Sequence, residues 1–261
     1  SMIVPIFMAL YIIKKKNVYL IMSFLSFGAI LVTMTRSAWV GLAAASVLGL
    51  IYVIKNFNKD ILIRTIHIIV GFVIIFIFVL IPPPFISNLI SGNTNINSLA
   101  GRFDLTNEDL EILFSETTEQ KKANLGSGRI GIWILSLKAV AQEPLFGTGP
   151  DTLKDALIYN VTEETIARME KTHAYVDKAH NEYLQIAATI GIPALIIYLA
   201  FIIQIIFKDK KLFEHNATFI FIVAIVSYLA QAFFNISTIG VTPILWLLLG
   251  IVQNEKFKEN L

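Results

Sequence analysis

An all-α polytopic membrane helix bundle, with about seven spans and one large extracytoplasmic loop, is the fold class that the sequence predicts. Three observations predict it. Apolar residues make up 56% of the chain and charged residues 15%, with a mean hydropathy of +0.70, a combination that soluble chains rarely show. The apolar residues fall in runs close to the length of about 20 residues that crosses a hydrocarbon layer. The basic residues between the runs gather on what strict alternation makes one side.

The first run, residues 2–13, is short and reads as a truncated span. The second covers residues 18–34, the third 38–54 and the fourth 61–81, where Pro82, Pro83 and Pro84 stop it. Apolar sequence resumes at residues 190–207, 218–234 and 239–252. The chain thus divides into N-terminal spans (1–81), an extracytoplasmic loop (82–189), and C-terminal spans with a short tail (190–261). Lys14 to Lys16, the group Lys55, Lys59 and Arg64, the group Lys208, Lys210 and Lys211, and Lys256 with Lys258 all fall on one side. The positive-inside rule makes that side the cytoplasm. No basic stretch precedes the apolar start, so no cleavable signal peptide is expected.

A loop as long as residues 82–189 is usually functional or disordered. Its first part, residues 87–122, is polar and acidic, with Asp104, Glu108, Asp109, Glu111, Glu116 and Glu119, and this composition predicts mobility. Its second part is patterned. Ile130, Trp133, Ile134, Leu137 and Val140 repeat at helical spacing, which predicts an amphipathic helix at the outer leaflet or packed on the bundle. Gly147, Gly149 and Pro150 predict a turn, after which Asp151 is placed to cap the next helix.

Three residues stand out chemically. Arg36 lies in a short turn between two spans on the side that should lack basic residues, where a charge is a functional signal by default or else snorkels to headgroup phosphates. Arg129 follows Gly126-Ser127-Gly128 at the start of the amphipathic helix, so that backbone N–H groups and a planar guanidinium could converge on an oxyanion. His180 precedes Asn181 and Tyr183 and can accept a proton near neutral pH. Of the other histidines, His67 falls within a span as a packing residue, His215 in a cytoplasmic turn, and His173 is seven positions from His180 without an obvious third ligand. With no cysteine and no metal-ligand spacing, neither a metal site nor a disulfide is expected. No phosphate-binding P-loop or dinucleotide fingerprint occurs, and no nucleic-acid partner is expected.

Taken in order, Thr35-Arg36-Ser37-Ala38-Trp39 with Gly41, Gly128-Arg129 with Trp133, Pro144-Leu145-Phe146-Gly147-Thr148-Gly149, and His180-Asn181-Glu182-Tyr183-Leu184 running into Gly191-Ile192-Pro193 resemble the O-antigen ligase and O-antigen polymerase family of bacterial polysaccharide membrane proteins. The similarity spans about residues 18–198 and is to the C-terminal portion of such proteins, which usually have about twelve spans. The first motif departs from the usual Ser-Arg-Gly but keeps its arginine.

The resemblance implies a glycosyltransferase in the bacterial cytoplasmic membrane. It would use an undecaprenyl-diphosphate-linked glycan as donor and the hydroxyl of a glycan, lipid or cell wall as acceptor, with no metal or cofactor. The large loop becomes the catalytic loop. Arg36 and Arg129 are implied to hold the diphosphate, His180 to activate the acceptor hydroxyl, and Trp133, Asn181 and Tyr183 to contact substrate, with the bilayer and other polysaccharide assembly proteins as partners. Polymerase, ligase and protein O-oligosaccharyltransferase all fit these residues; the composition tilts toward a capsule or wall polysaccharide polymerase. The alternative is a transporter or flippase for an anionic lipid-linked glycan. Against it, the spans are nearly free of charge, whereas transporters place polar groups near the midplane.

Overall fold

The computed structural model describes residues 2–33, 35–80, 129–159, 177–208 and 216–254. Every regular element among the described residues is an α-helix: α1 (Ile3–Lys14), α2 (Asn17–Thr33), α3 (Arg36–Lys55), α4 (Lys59–Leu80), α5 (Arg129–Gln142), α6 (Leu153–Tyr159), α7 (Glu182–Thr189), α8 (Ile192–Phe207), α9 (Asn216–Ala232) and α10 (Thr242–Gln253). The expected proline stop at 82–84, the acidic segment 87–122, the Gly126-Ser127-Gly128 turn, His173 and His215 lie outside the described residues.

The chain forms two compact units. The first holds α1 to α4, the end of α8 from Gln204, α9 to Gln231, and α10. Of its helices, α3 and α4 are long and apolar enough to cross a membrane. Their 20 and 22 residues reach about 30 Å and 33 Å at 1.5 Å per residue, the thickness of a hydrocarbon core. On α4, Ile66, Ile69, Val70, Val73, Ile74 and Ile77 are exposed, and an apolar outer face is what lipid, not water, favours. The other apolar helices, α1, α2, α8, α9 and α10, run 12 to 17 residues. Seven apolar helices therefore occupy the places of the seven expected runs, and two of them have the length of a full span.

Packing in this unit is aromatic and aliphatic. The Phe27 and Phe72 rings stack at 4.1 Å, and Trp39 meets Phe27 and Phe76 edge-on. Tyr52 stacks on Phe219 at 4.3 Å while its hydroxyl donates to Asn216 Oδ1 at 2.7 Å. The end of the unit near the α1–α2 turn is polar. Lys15, left-handed at φ 60°, closes α1 by donating its N–H to the Tyr11 carbonyl. Asp60 takes the Lys15 ammonium at 3.2 Å and the Arg64 guanidinium at 3.4 Å, and Arg64 also donates to the Ile12 carbonyl. A cavity of about 300 Å³ opens among Tyr11, Lys15, Asn17, Asp60, Arg64 and His67.

The second unit holds α5, α6, α7, α8 as far as Ile203, and residues 232–238. Its core is Leu153, Leu157, Ala179 and Ala188, flanked by Leu135, Val140 and Leu184. Helix α5 begins at Arg129, as its periodicity predicts, and packs on the core beside Trp133 and Val140 of the expected stripe. Ser136 and Ala139 are fully buried while Ile134 and Leu137 stay exposed. Small side chains let another backbone approach closely, and Leu135 and Val140 flank them on the packed face.

Candidate functional site

Two turns of the second unit clasp each other. The turn after α5 donates Thr148 N–H to the Ala188 carbonyl at 2.8 Å and Gly149 N–H to the Thr189 carbonyl at 3.0 Å. The turn after α7 answers with Ile192 N–H on the Pro144 carbonyl at 2.8 Å. Glycine is required on both sides. A Cβ on Gly147 (φ 65°) would lie 2.4 Å from the Thr189 carbonyl carbon, and one on Gly191 (φ 101°) would lie 2.2 Å from the Leu145 oxygen. Both also hold left-handed conformations that a side chain resists. Thr152 Oγ1 tightens the first turn by donating to the Thr148 and Gly149 carbonyls. The glycine turn read from the sequence is thus a backbone joint that fixes where α7 ends and α8 begins.

Asp151 does not cap α6. It sits at φ 57°, and its carboxylate accepts from Lys178 Nζ at 2.7 Å instead. The hydrogen bond to Lys178 holds the Asp151 carboxyl below its usual range, and the same bond holds the Lys178 ammonium above its own. This pair ties the segment before His180 to the glycine turn.

His180 occupies a left-handed backbone conformation, φ 49°, which costs a side-chain-bearing residue about 1–2 kcal/mol. Such strain persists only where the surroundings over-determine it, and it concentrates at functional sites. The surroundings here do so on both sides. Before it, the Ala179 carbonyl accepts from Trp133 Nε1 at 3.0 Å, and the Ala179 N–H donates to Gln185 Oε1 at 2.8 Å. After it, Asn181 caps α7, its Oδ1 accepting from Leu184 N–H at 3.0 Å. A cap of this kind is worth about 1 kcal/mol. The half-buried His180 ring has no hydrogen bond to any described residue. An imidazole held by its backbone, with neither nitrogen engaged by a described residue, can take a proton from an incoming hydroxyl.

Aromatic rings gather around this loop. Tyr183 lies 4.6 Å from Phe233 and 6.5 Å from Tyr198, and Trp133 lies 5.9 Å from Phe234. The buried Glu182 carboxylate accepts from the Tyr198 hydroxyl at 2.9 Å. Burial, and secondarily the Glu182 charge, push the Tyr183 phenol well above its ordinary value, so it stays protonated at neutral pH and is a poor base.

The second unit holds Arg129, Trp133, His180, Asn181 and Tyr183, and of these Trp133 and Asn181 are bonded at the His180 loop itself. Arg129 is half-buried at the first turn of α5. Arg36 belongs to the first unit, half-buried at the first turn of α3, where Thr35 makes no side-chain cap and its carbonyl accepts from the Ala38 N–H at 3.0 Å. Among the described residues no cluster of three His, Asp or Glu side chains could hold a metal ion. Gln185, Tyr198, Phe233 and Phe234 were not among the residues the sequence singles out for the site. Gln185 has only its place one turn past Asn181 as a signal, and the two phenylalanines close an apolar run like any other.

The family model described as O-antigen ligase matches residues 21–199, well over half of the chain and inclusive of Arg36, the glycine turn and the whole His180 loop. Searches of curated proteins and of solved structures find no match. The chain belongs to the O-antigen ligase family.

Proposed function

We propose that this chain transfers an oligosaccharide from an undecaprenyl diphosphate carrier to an acceptor hydroxyl at the outer face of the bacterial cytoplasmic membrane, as a cell-surface polysaccharide polymerase or O-antigen ligase. Family membership carries glycan transfer in a membrane in general; the donor, the acceptor side and the residue roles are our reading. The observation that carries it is the strained His180, left-handed in backbone and unengaged in its ring among the described residues.

In the reaction the acceptor oxygen attacks the anomeric carbon of the donor sugar. His180 takes the hydroxyl proton as the new C–O bond forms, and the bond from that carbon to the diphosphate oxygen breaks. Undecaprenyl diphosphate leaves, and the imidazolium later returns its proton to water. Negative charge grows on the diphosphate as it leaves, so the guanidiniums of Arg36 and Arg129 stabilise the transition state more than the ground state. Planar forks suit this task better than ammonium groups. Asn181 uses its Oδ1 as the helix cap, and its amide N–H is assigned to substrate. The rings of Trp133 and Tyr183 are assigned to the sugar, and neutral Tyr183 leaves the base role to His180.

Membranes carrying the full-length protein, supplied with labelled undecaprenyl-diphosphate glycan, test this reading. Transfer should release one undecaprenyl diphosphate for each glycan joined, and Arg129→Ala and Arg36→Ala should lower the rate by about a hundredfold each. Movement of intact donor across the membrane with no carrier released would instead make the chain a flippase.

A further inference from the structure

We propose that Gln185 is a positioning residue for His180, forming with Trp133 a two-point clamp on the single residue that precedes it. The inference rests on the base role assigned to His180 above and deepens it. Ala179 is fully buried and both of its backbone polar groups end on side chains: its carbonyl on Trp133 Nε1 at 3.0 Å from α5, and its N–H on Gln185 Oε1 at 2.8 Å from α7. These two bonds cross the loop from opposite helices. Neither belongs to a helix ladder, a turn or a cap, so nothing in regular secondary structure requires either one.

Their shared consequence is rotational. With the Ala179 peptide groups fixed on one side and Asn181 fixed as the α7 cap on the other, His180 has little freedom to relax from φ 49° into the right-handed or extended regions. The direction of its Cα–Cβ bond, and so the place of the imidazole, is set by the clamp. A base that drifts by about 1 Å from the reacting proton can lose on the order of a hundredfold in rate. Gln185 is suited to the task because its side-chain oxygen reaches back from α7 to accept from the Ala179 N–H. The ring contacts of Trp133 with Phe234 then brace the other point of the clamp.

The test uses the full-length protein with Gln185→Met, which keeps length and apolar bulk but removes the acceptor, and Gln185→Glu, which keeps an acceptor. Transfer from undecaprenyl-diphosphate glycan is measured beside His180→Ala, and amide hydrogen exchange is followed at Ala179. We expect Gln185→Met to lower kcat about a hundredfold with KM changed less than about threefold, with its thermal midpoint near wild type and Ala179 exchanging faster. Gln185→Glu should restore most of kcat and the protection of Ala179. An Ala179 amide that exchanges as fast in wild type as in Gln185→Met overturns the clamp itself. Protection lost in Gln185→Met with full transfer, while His180→Ala is dead, overturns the positioning role but leaves the base in place. Full transfer by His180→Ala overturns the base, whatever the exchange at Ala179 shows.

Discussion

His67 lies within the regular helix α4, with its Nδ1 2.9 Å from the Tyr11 hydroxyl, whereas His180 lies between helices at φ 49° with no described partner for its ring. The contrast extends to their surroundings. Around His67 the ionisable groups engage one another, with Asp60 taking both Lys15 and Arg64. Around His180 the loop is held mainly by neutral groups: the Trp133 indole, the Gln185 and Asn181 amides, and the peptide groups of the glycine clasp. A site built on neutral hydrogen bonds keeps its shape when charge develops or a proton moves within it. Its ionisable residue is then available for chemistry instead of structure.

The sharpest way to break the second region is through its glycines. Gly191→Ala puts a methyl group 2.2 Å from the Leu145 oxygen in a left-handed conformation. It should destabilise the clasp on the order of 3 kcal/mol and abolish transfer. Gly49→Ala on α3 meets nothing within 4 Å and should be neutral or mildly stabilising, by up to about 1 kcal/mol. Thermal unfolding in detergent separates the two, and equal effects would show that the clasp tolerates movement. In the first region, His67→Ala removes one partner of Tyr11 and should cost about 1 kcal/mol while leaving transfer near wild type. The same unfolding measurement and the transfer assay check it.

The smallest effect belongs to the ion pair of Lys178 with Asp151. Asp151 has a lowered value in the folded chain, so its contribution is present above the ordinary aspartate value of about 3.9 and fades as pH falls through the lowered one. Lys178 has a raised value, so its share holds below the ordinary lysine value and fades as pH rises through the raised one. Between these limits stability should be flat with respect to this pair. Midpoints of wild type and Asp151→Asn should differ slightly at neutral pH and converge in strong acid. A difference that persists in strong acid would mean the carboxyl acts by something other than this charge.

Much of the helix pattern is legible in the sequence because it follows local rules. Apolar length places α3 and α4, and Arg129 begins its helix as read, while Arg36, read in the turn, is the first residue of α3. What is not legible depends on partners far along the chain. Asp151 has the chemistry of a helix cap, yet Lys178, 27 positions away, takes its carboxylate. Gly147 announces a turn but not that the turn closes on Thr189 and Ile190. Nor does the apolar stripe of α5 tell that Ser136 and Ala139 are fully buried while Ile134 and Leu137 stay exposed. His180 is singled out by its chemistry and its motif; its left-handed backbone and the Gln185 bond behind it leave no trace in residue type or spacing.

The base assigned to His180 is tested most directly by transfer from undecaprenyl-diphosphate glycan in membranes holding equal amounts of wild type, His180→Ala and His67→Ala full-length protein. Transfer by His180→Ala should fall by about a hundred- to ten-thousand-fold with carrier-lipid binding retained, while His67→Ala transfers near the wild-type rate. Undiminished transfer by His180→Ala would contradict a base at that position and leave the strained loop a purely structural feature.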